Sequence, residues 1–130
     1  VIDETSKILV CRRYKHGVRE ETIGFPGGYI EPHETPLEGA VRELHEECSL
    51  KANIWNSLGD FVIDGNRSVA KVYLFTAKQL KRVESIISDD LEETEFIWHD
   101  RDTIEQMLKN GKIKTLGAAT LTLMLRENIK

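Results

Sequence analysis

A chain of 130 residues with 40% hydrophobic and 31% charged residues, nine glycines and three prolines has the composition of one ordinary globular domain, neither disordered nor fibrous. Its formal charge of −4 argues against a general nucleic-acid or anionic-membrane surface and makes a metal cation the more natural partner. Cys11 and Cys48 form no C-x-x-C pair, so no disulfide framework or zinc ribbon is expected, and a reducing, cytoplasmic setting fits best. No apolar run approaches the ~20 residues that span a bilayer, and no signal-peptide pattern opens the chain. The first residue is Val1 rather than Met, which leaves room for native sequence ahead of it.

In chain order, KILVCR (Lys7 to Arg12) is rich in β-branched and apolar residues and predicts a strand, followed by a polar, basic turn, RYKHGVREE. TIGFPGGYI reads as short extended pieces broken by glycines. Thr35 to about Cys48 predicts a helix. VIDGNR predicts a turn, VAKVYLFTA (Val69 to Ala77) a buried strand, and EFIWH another strand. Two helices are expected near Arg101 to Asn110 and Thr115 to Glu127. Strands interspersed with three helices predict a mixed α/β sandwich, one domain over residues 1–130.

The helix from Thr35 carries the densest chemistry. Thr35 is a good N-cap, Pro36 suits the first helical position, and Glu38 at N3 completes a capping box. Leu37, Ala40, Val41, Leu44 and Cys48 fall on one stripe, predicted to pack on the sheet. Beside it, Glu43, Glu46 and Glu47 converge within an arc of about 100°. Like charges so placed repel unless a cation intervenes. Arg42, one turn before Glu46, is one such cation, and a divalent metal is another. The plain alternative is a solvated acidic face with an Arg42–Glu46 ion pair. The glycine pair Gly27-Gly28 favours a ligand site, because glycine lets backbone approach a ligand closely. Oxygen-only donors suit a hard cation such as Mg²⁺ or Mn²⁺, the usual partners of phosphate chemistry.

Gly28, then Glu34, then Arg42-Glu43-Leu44-His45-Glu46-Glu47-Cys48-Ser49-Leu50 resembles the Nudix box, G-x5-E-x7-R-E-U-x-E-E-x-G-U with U aliphatic. The one departure is Ser49 in place of glycine, at a helix end where a left-handed conformation would cost serine about 1 kcal/mol. The resemblance implies a Nudix-type α/β/α sandwich with a mixed β-sheet, and a hydrolase that cleaves a nucleoside diphosphate linked to another group. It further implies Glu46 and Glu47 as metal ligands with Glu43 assisting, a backbone carbonyl of Gly27 or Gly28 completing the shell, and Arg42 orienting the glutamates. Glu34 would support Arg42. A general base could come from the box or from SDDLEETE (Ser88 to Glu95), where Glu92 and Glu93 are the candidates; the bland reading of that stretch is a solvated acidic loop.

The flanks are similar to those of ADP-ribose pyrophosphatases, in the basic-aromatic stretch before the glycine pair and in GKIKTLGAATLTLML. Two departures stand against that subgroup: no proline occurs about fifteen residues beyond the box, and Lys15 replaces a common arginine. Arg12, Arg13 and Lys15 are candidates for the pyrophosphate, whereas Tyr14, Trp55, Tyr73 and Trp98 read as core in preference to base-stacking residues. The resemblance also implies a homodimer. The alternatives are a nucleoside triphosphate pyrophosphohydrolase, including those acting on oxidised nucleotides, and a nucleotide sensor that binds without cleaving.

Overall fold

The computed structural model describes residues 1–85 and 94–128. The elements are β1 (Ile8–Lys15), β2 (Glu20–Gly24), α1 (Pro36–Cys48), β3 (Leu50–Asp64), β4 (Val69–Arg82), β5 (Glu95–His99), α2 (Arg101–Lys109) and α3 (Leu116–Asn128). They form an α/β structure with one three-stranded sheet, β2-β1-β5, and one long hairpin, β3-β4. The pairings between these strands are all antiparallel, where a mixed sheet was expected. Backbone bonds from Ile2 N–H to Ala77 O (2.9 Å) and from Leu9 N–H to Val1 O (2.9 Å) stitch the two sheets together through the first two residues.

β1 is buried on both faces over Ile8 to Cys11, which explains its continuous apolar run. Ile8 and Val10 belong to the main core with Ile23, Ile104, Ile113, Ala118 and Leu125, drawn from β2, α2, the segment after α2, and α3. Cys11 and Arg13 alternate to the opposite side and line a cavity there. The strand continues to Lys15, past the turn expected at Arg13, because Arg12 to Lys15 pair with Glu20 to Ile23 of β2. Buried Thr22 fixes the next crossing: its hydroxyl donates to Lys112 O (3.2 Å) and accepts from Lys114 N–H (3.0 Å). That bracket sets where α3 begins.

β3 is the element that periodicity failed to predict. Its burial does not alternate, and a register shift between Ser57 and Gly59 breaks the ladder to β4. The turn in VIDGNR is present: Asp64 Oδ1 accepts from the N–H groups of Asn66 (3.1 Å) and Arg67 (3.2 Å). β4 runs on to Arg82, and its first three residues are exposed where a buried strand was expected. Among the described residues no helix is long and apolar enough to cross a membrane.

Candidate active site

α1 starts as its sequence dictates. Thr35 Oγ1 accepts from Glu38 N–H (3.2 Å), and Glu38 Oε2 accepts from Thr35 N–H (2.7 Å), closing the capping box. The helix ends at Ser49, which takes the left-handed conformation (φ 52°, ψ 41°). Of the expected apolar stripe, Leu44 is buried and Ala40 and Cys48 are partly buried, whereas Leu37 and Val41 are exposed and Gly39 is buried in their stead. Glu43 and Glu47 lie inward, at 16% and 20% exposure, and Glu46 at 38%. Glu46 is therefore the most exposed of these three carboxylates.

Arg42 sits among the acids. Its Nε and Nη2 grip Glu34 at 3.0 and 2.7 Å, and its Nη1 donates to Glu43 Oε1 (3.0 Å) and Glu46 Oε2 (2.9 Å). Nη2 also donates to Tyr29 O at 2.9 Å, tying the loop after the glycine pair to the helix. The hydrogen bonds from Arg42 and from Glu31 N–H hold the Glu34 carboxyl below its ordinary range, and the bonds of Arg42 to Glu34, Glu43 and Glu46 raise its affinity for its proton. Burial pushes Glu43 the other way, upward, against the pull of Arg42.

Gly28 packs directly on this group. A Cβ there would lie 2.2 Å from Glu43 Oε1, so only glycine lets the backbone come so near the carboxylate. Gly27 donates its N–H to Glu47 Oε2 at 2.9 Å, and Arg13 Nη1 donates to Glu47 Oε1 at 3.0 Å. Gly27, Gly28, Glu43, Glu46 and Glu47, the expected metal ligands, are thus gathered between one loop and one helix face. Among the described residues, no three His, Cys, Asp or Glu side chains are grouped so as to hold a metal ion. Arg42 bonds Glu43 and Glu46, and Arg13 bonds Glu47. The carboxylates of Glu43, Glu46 and Glu47 are hard oxygen donors of the kind a divalent cation takes, and Glu43 fills the space that a Cβ at Gly28 would need.

Two cavities flank the Phe25–Gly28 segment, of about 210 and 260 Å³. They share walls from Val72, Tyr73, Leu74 and Leu121. Glu43 and Trp55 line the first, Arg13 and Lys15 the second, and Gly28 both, so the segment divides an acidic side from a basic one. Arg12 lines neither: strand alternation turns it to the far face, where it pairs with Glu95. Trp55 and Tyr73, read as core, are partly buried wall residues, and Trp55 Nε1 is engaged by Ala52 O at 3.1 Å. Tyr14, also read as core, is 47% exposed, edge-on to His16. The strand assignment of Val69 to Ala77 was the available signal for the Tyr73 wall. Glu92 and Glu93 lie outside the described residues.

Comparison with known proteins bears on the family and the fold. An ADP-ribose pyrophosphatase from Bacillus subtilis is 26% identical over 108 residues, covering 83% of this chain and 57% of that protein. A methanol dehydrogenase activator from Bacillus methanolicus is 26% identical over 115 residues, covering 88% of this chain and 61% of that protein. The chain therefore spans less than two thirds of the length of these relatives. A solved ADP compounds hydrolase has the same fold, with a TM-score of 0.82 at 23% identity, over 95% of this chain and 66% of that one. Residues 1–117 match the NUDIX domain, and with the box arginine and glutamates folded into one network, the chain belongs to the NUDIX family.

Proposed function

We propose that residues 1–130 form one pyrophosphohydrolase domain that cleaves the diphosphate of ADP-ribose or a related nucleotide sugar with Mg²⁺, for which Mn²⁺ can substitute. The observation that carries this reading is the junction at Gly27-Gly28, where Glu43 packs on Gly28 and Glu47 accepts from Gly27 N–H, beside a cleft lined by Arg13 and Lys15. A diphosphate lying across the junction would set its oxygens against the basic side and the scissile phosphorus near the acids.

A divalent cation bound there would lower the pKa of attacking water and neutralise charge on the leaving oxygen. The protein's own contribution is positional. Arg42 holds Glu34, Glu43 and Glu46 at fixed distances, and Gly27 N–H fixes one oxygen of Glu47. Arg13 and Lys15 would bind phosphate oxygens, and Gly28 admits the substrate backbone-close. The proton acceptor is assigned to a box glutamate or to Glu92 or Glu93. We further assign the protein to the cytoplasm, consistent with two free cysteines, and to a homodimer. Exposed Phe61, Val62, Ile63 and Val69 at the tip of the hairpin support the latter.

The test is a Mg²⁺-dependent hydrolysis panel of ADP-ribose, other nucleotide sugars, dinucleotides and triphosphates, with products separated by chromatography. AMP from ADP-ribose at the highest kcat/KM supports the proposal. A preference for triphosphates, or binding without turnover, replaces it.

A further inference from the structure

Glu47 is held at both oxygens, by Gly27 N–H and by Arg13 Nη1. Arg13 spends Nη2 on Cys11 Sγ at 3.1 Å, a weak acceptor, while its Nε is buried with no hydrogen-bond partner among the described residues. Its side chain is only 11% exposed, yet it lines the cavity that also holds Lys15, Gly27 and Gly28. A guanidinium with five N–H groups, one firm acceptor and one orphaned buried donor is under-used, and a cluster of phosphate oxygens is the ligand that would complete it.

The same carboxylate has a second claimant. If the proposed function holds, Glu47 must neutralise a divalent cation, and it cannot serve that cation and Arg13 at full strength together. We infer that Arg13 and Glu47 form a charge exchange: Arg13 is the counter-ion of Glu47 in the metal-free protein, and it turns its fork to the diphosphate oxygens once a cation takes Glu47. Metal and nucleotide then each favour the other's binding, through Arg13 as a positioning residue. The inference rests on the proposed function and adds the coupling to it.

Titration calorimetry of ADP into chelator-treated protein reads the exchange without turnover. Glu47→Gln keeps the shape and an acceptor for Gly27 N–H but releases Arg13, so it should bind metal-free ADP about ten-fold more tightly than wild type. That gain should vanish when Arg13→Gln is added, and shrink with Arg13→Lys, which keeps charge without the fork. Unchanged or weaker binding by Glu47→Gln overturns the exchange, and so does an equal gain on the Arg13→Gln background, which would be the mere removal of a negative charge. Mn²⁺ binding followed by electron paramagnetic resonance supplies the opposite sign. Arg13→Gln should bind Mn²⁺ several-fold more tightly because a competing cation is gone, whereas an Arg13 that only props Glu47 in place predicts weaker binding. Arg13→Met, which removes the charge and keeps an apolar stem, serves this arm should the glutamine variant fail to fold. ADP that binds Mg²⁺-loaded wild type with none of these shifts defeats the exchange alone; ADP that binds no form of the protein defeats the proposed function with it.

Discussion

Arg42 grips Glu34 with two parallel hydrogen bonds, Nε to Oε2 at 3.0 Å and Nη2 to Oε1 at 2.7 Å, and the remaining nitrogen reaches Glu43 and Glu46. The planar fork is what allows one side chain to serve three carboxylates, and lysine has no such fork. Arg42→Lys should therefore lower Tm by a few degrees and kcat/KM by about ten-fold or more. Thermal melts and steady-state kinetics check both, and an unchanged kcat/KM would remove Arg42 as the organiser of the site.

Glu46→Gln and Glu47→Gln each replace a full charge with a neutral isostere. Loss of turnover by about 100-fold or more is expected for both, with far-ultraviolet circular dichroism unchanged. Near-normal activity in both variants would mean that the chemistry lies elsewhere.

At Gly28 the added methyl of alanine would meet Glu43 Oε1 at 2.2 Å. The obstacle is the far end of a side chain, so the fold can yield by moving Glu43, and the loss should fall on activity. Gly28→Ala is expected to cut kcat/KM by about ten-fold while shifting Tm by no more than a few degrees. A large drop in Tm with intact kcat would show instead that the contact is structural.

Ser49 ends α1 at φ 52°, ψ 41°, in the region where a Cβ is unfavourable. Ser49→Gly should raise stability by about 0.5–1 kcal/mol, read from urea denaturation. An unchanged or lower midpoint would indicate that serine sits there without strain.

Acid should act on both helix starts. Glu34, Glu38 and Asp100 have carboxyls held below their ordinary values of 4.5, 4.5 and 3.8 by hydrogen bonds from Arg42, from Thr35 N–H and from Thr103 N–H respectively. A depressed folded-state pKa contributes stability that is fully present above the ordinary value and is lost as pH falls through the depressed one. Stability should thus be flat in these groups above about pH 5 and decline below it, and Glu38→Gln should flatten part of the slope. Denaturation midpoints measured from pH 6 to pH 2.5 test this, and equal slopes in both proteins would count against the capping box as a source.

The legible parts of the molecule were those decided locally. Thr35, Pro36 and Glu38 announce a helix start because all the groups involved lie within one turn, and Arg42 with Glu46 follows from helical spacing. Distance along the chain hid the rest. The Arg13–Glu47 bond joins residues 34 apart, across a strand and a helix, and no periodicity encodes it. β3 escaped because it is exposed over much of its length and its pattern is interrupted at Gly59. The extension of β1 through Arg13 to Lys15 depended on finding β2 as its partner, and polar residues there resemble a turn until that partner is known. Leu37 and Val41 misled in the opposite sense: two apolar residues one turn apart were read into the buried stripe, but the packing buries Leu44 of that stripe with Gly39 and leaves these two exposed.

The neighbouring arginines of β1 have a consequence for how this strand can change. Arg12 and Arg13 are chemically identical, and only the parity of the strand sends one toward Glu95 and the other into the cleft. Substituting residues around them leaves that parity intact, but inserting or deleting a single residue between Ile8 and Cys11 would exchange the two guanidinium groups and swap the apolar side chains between the two faces. Loop-length variation is cheap on most of a protein surface; here one residue of slippage would rewire the cleft while leaving the composition of the strand almost unaltered.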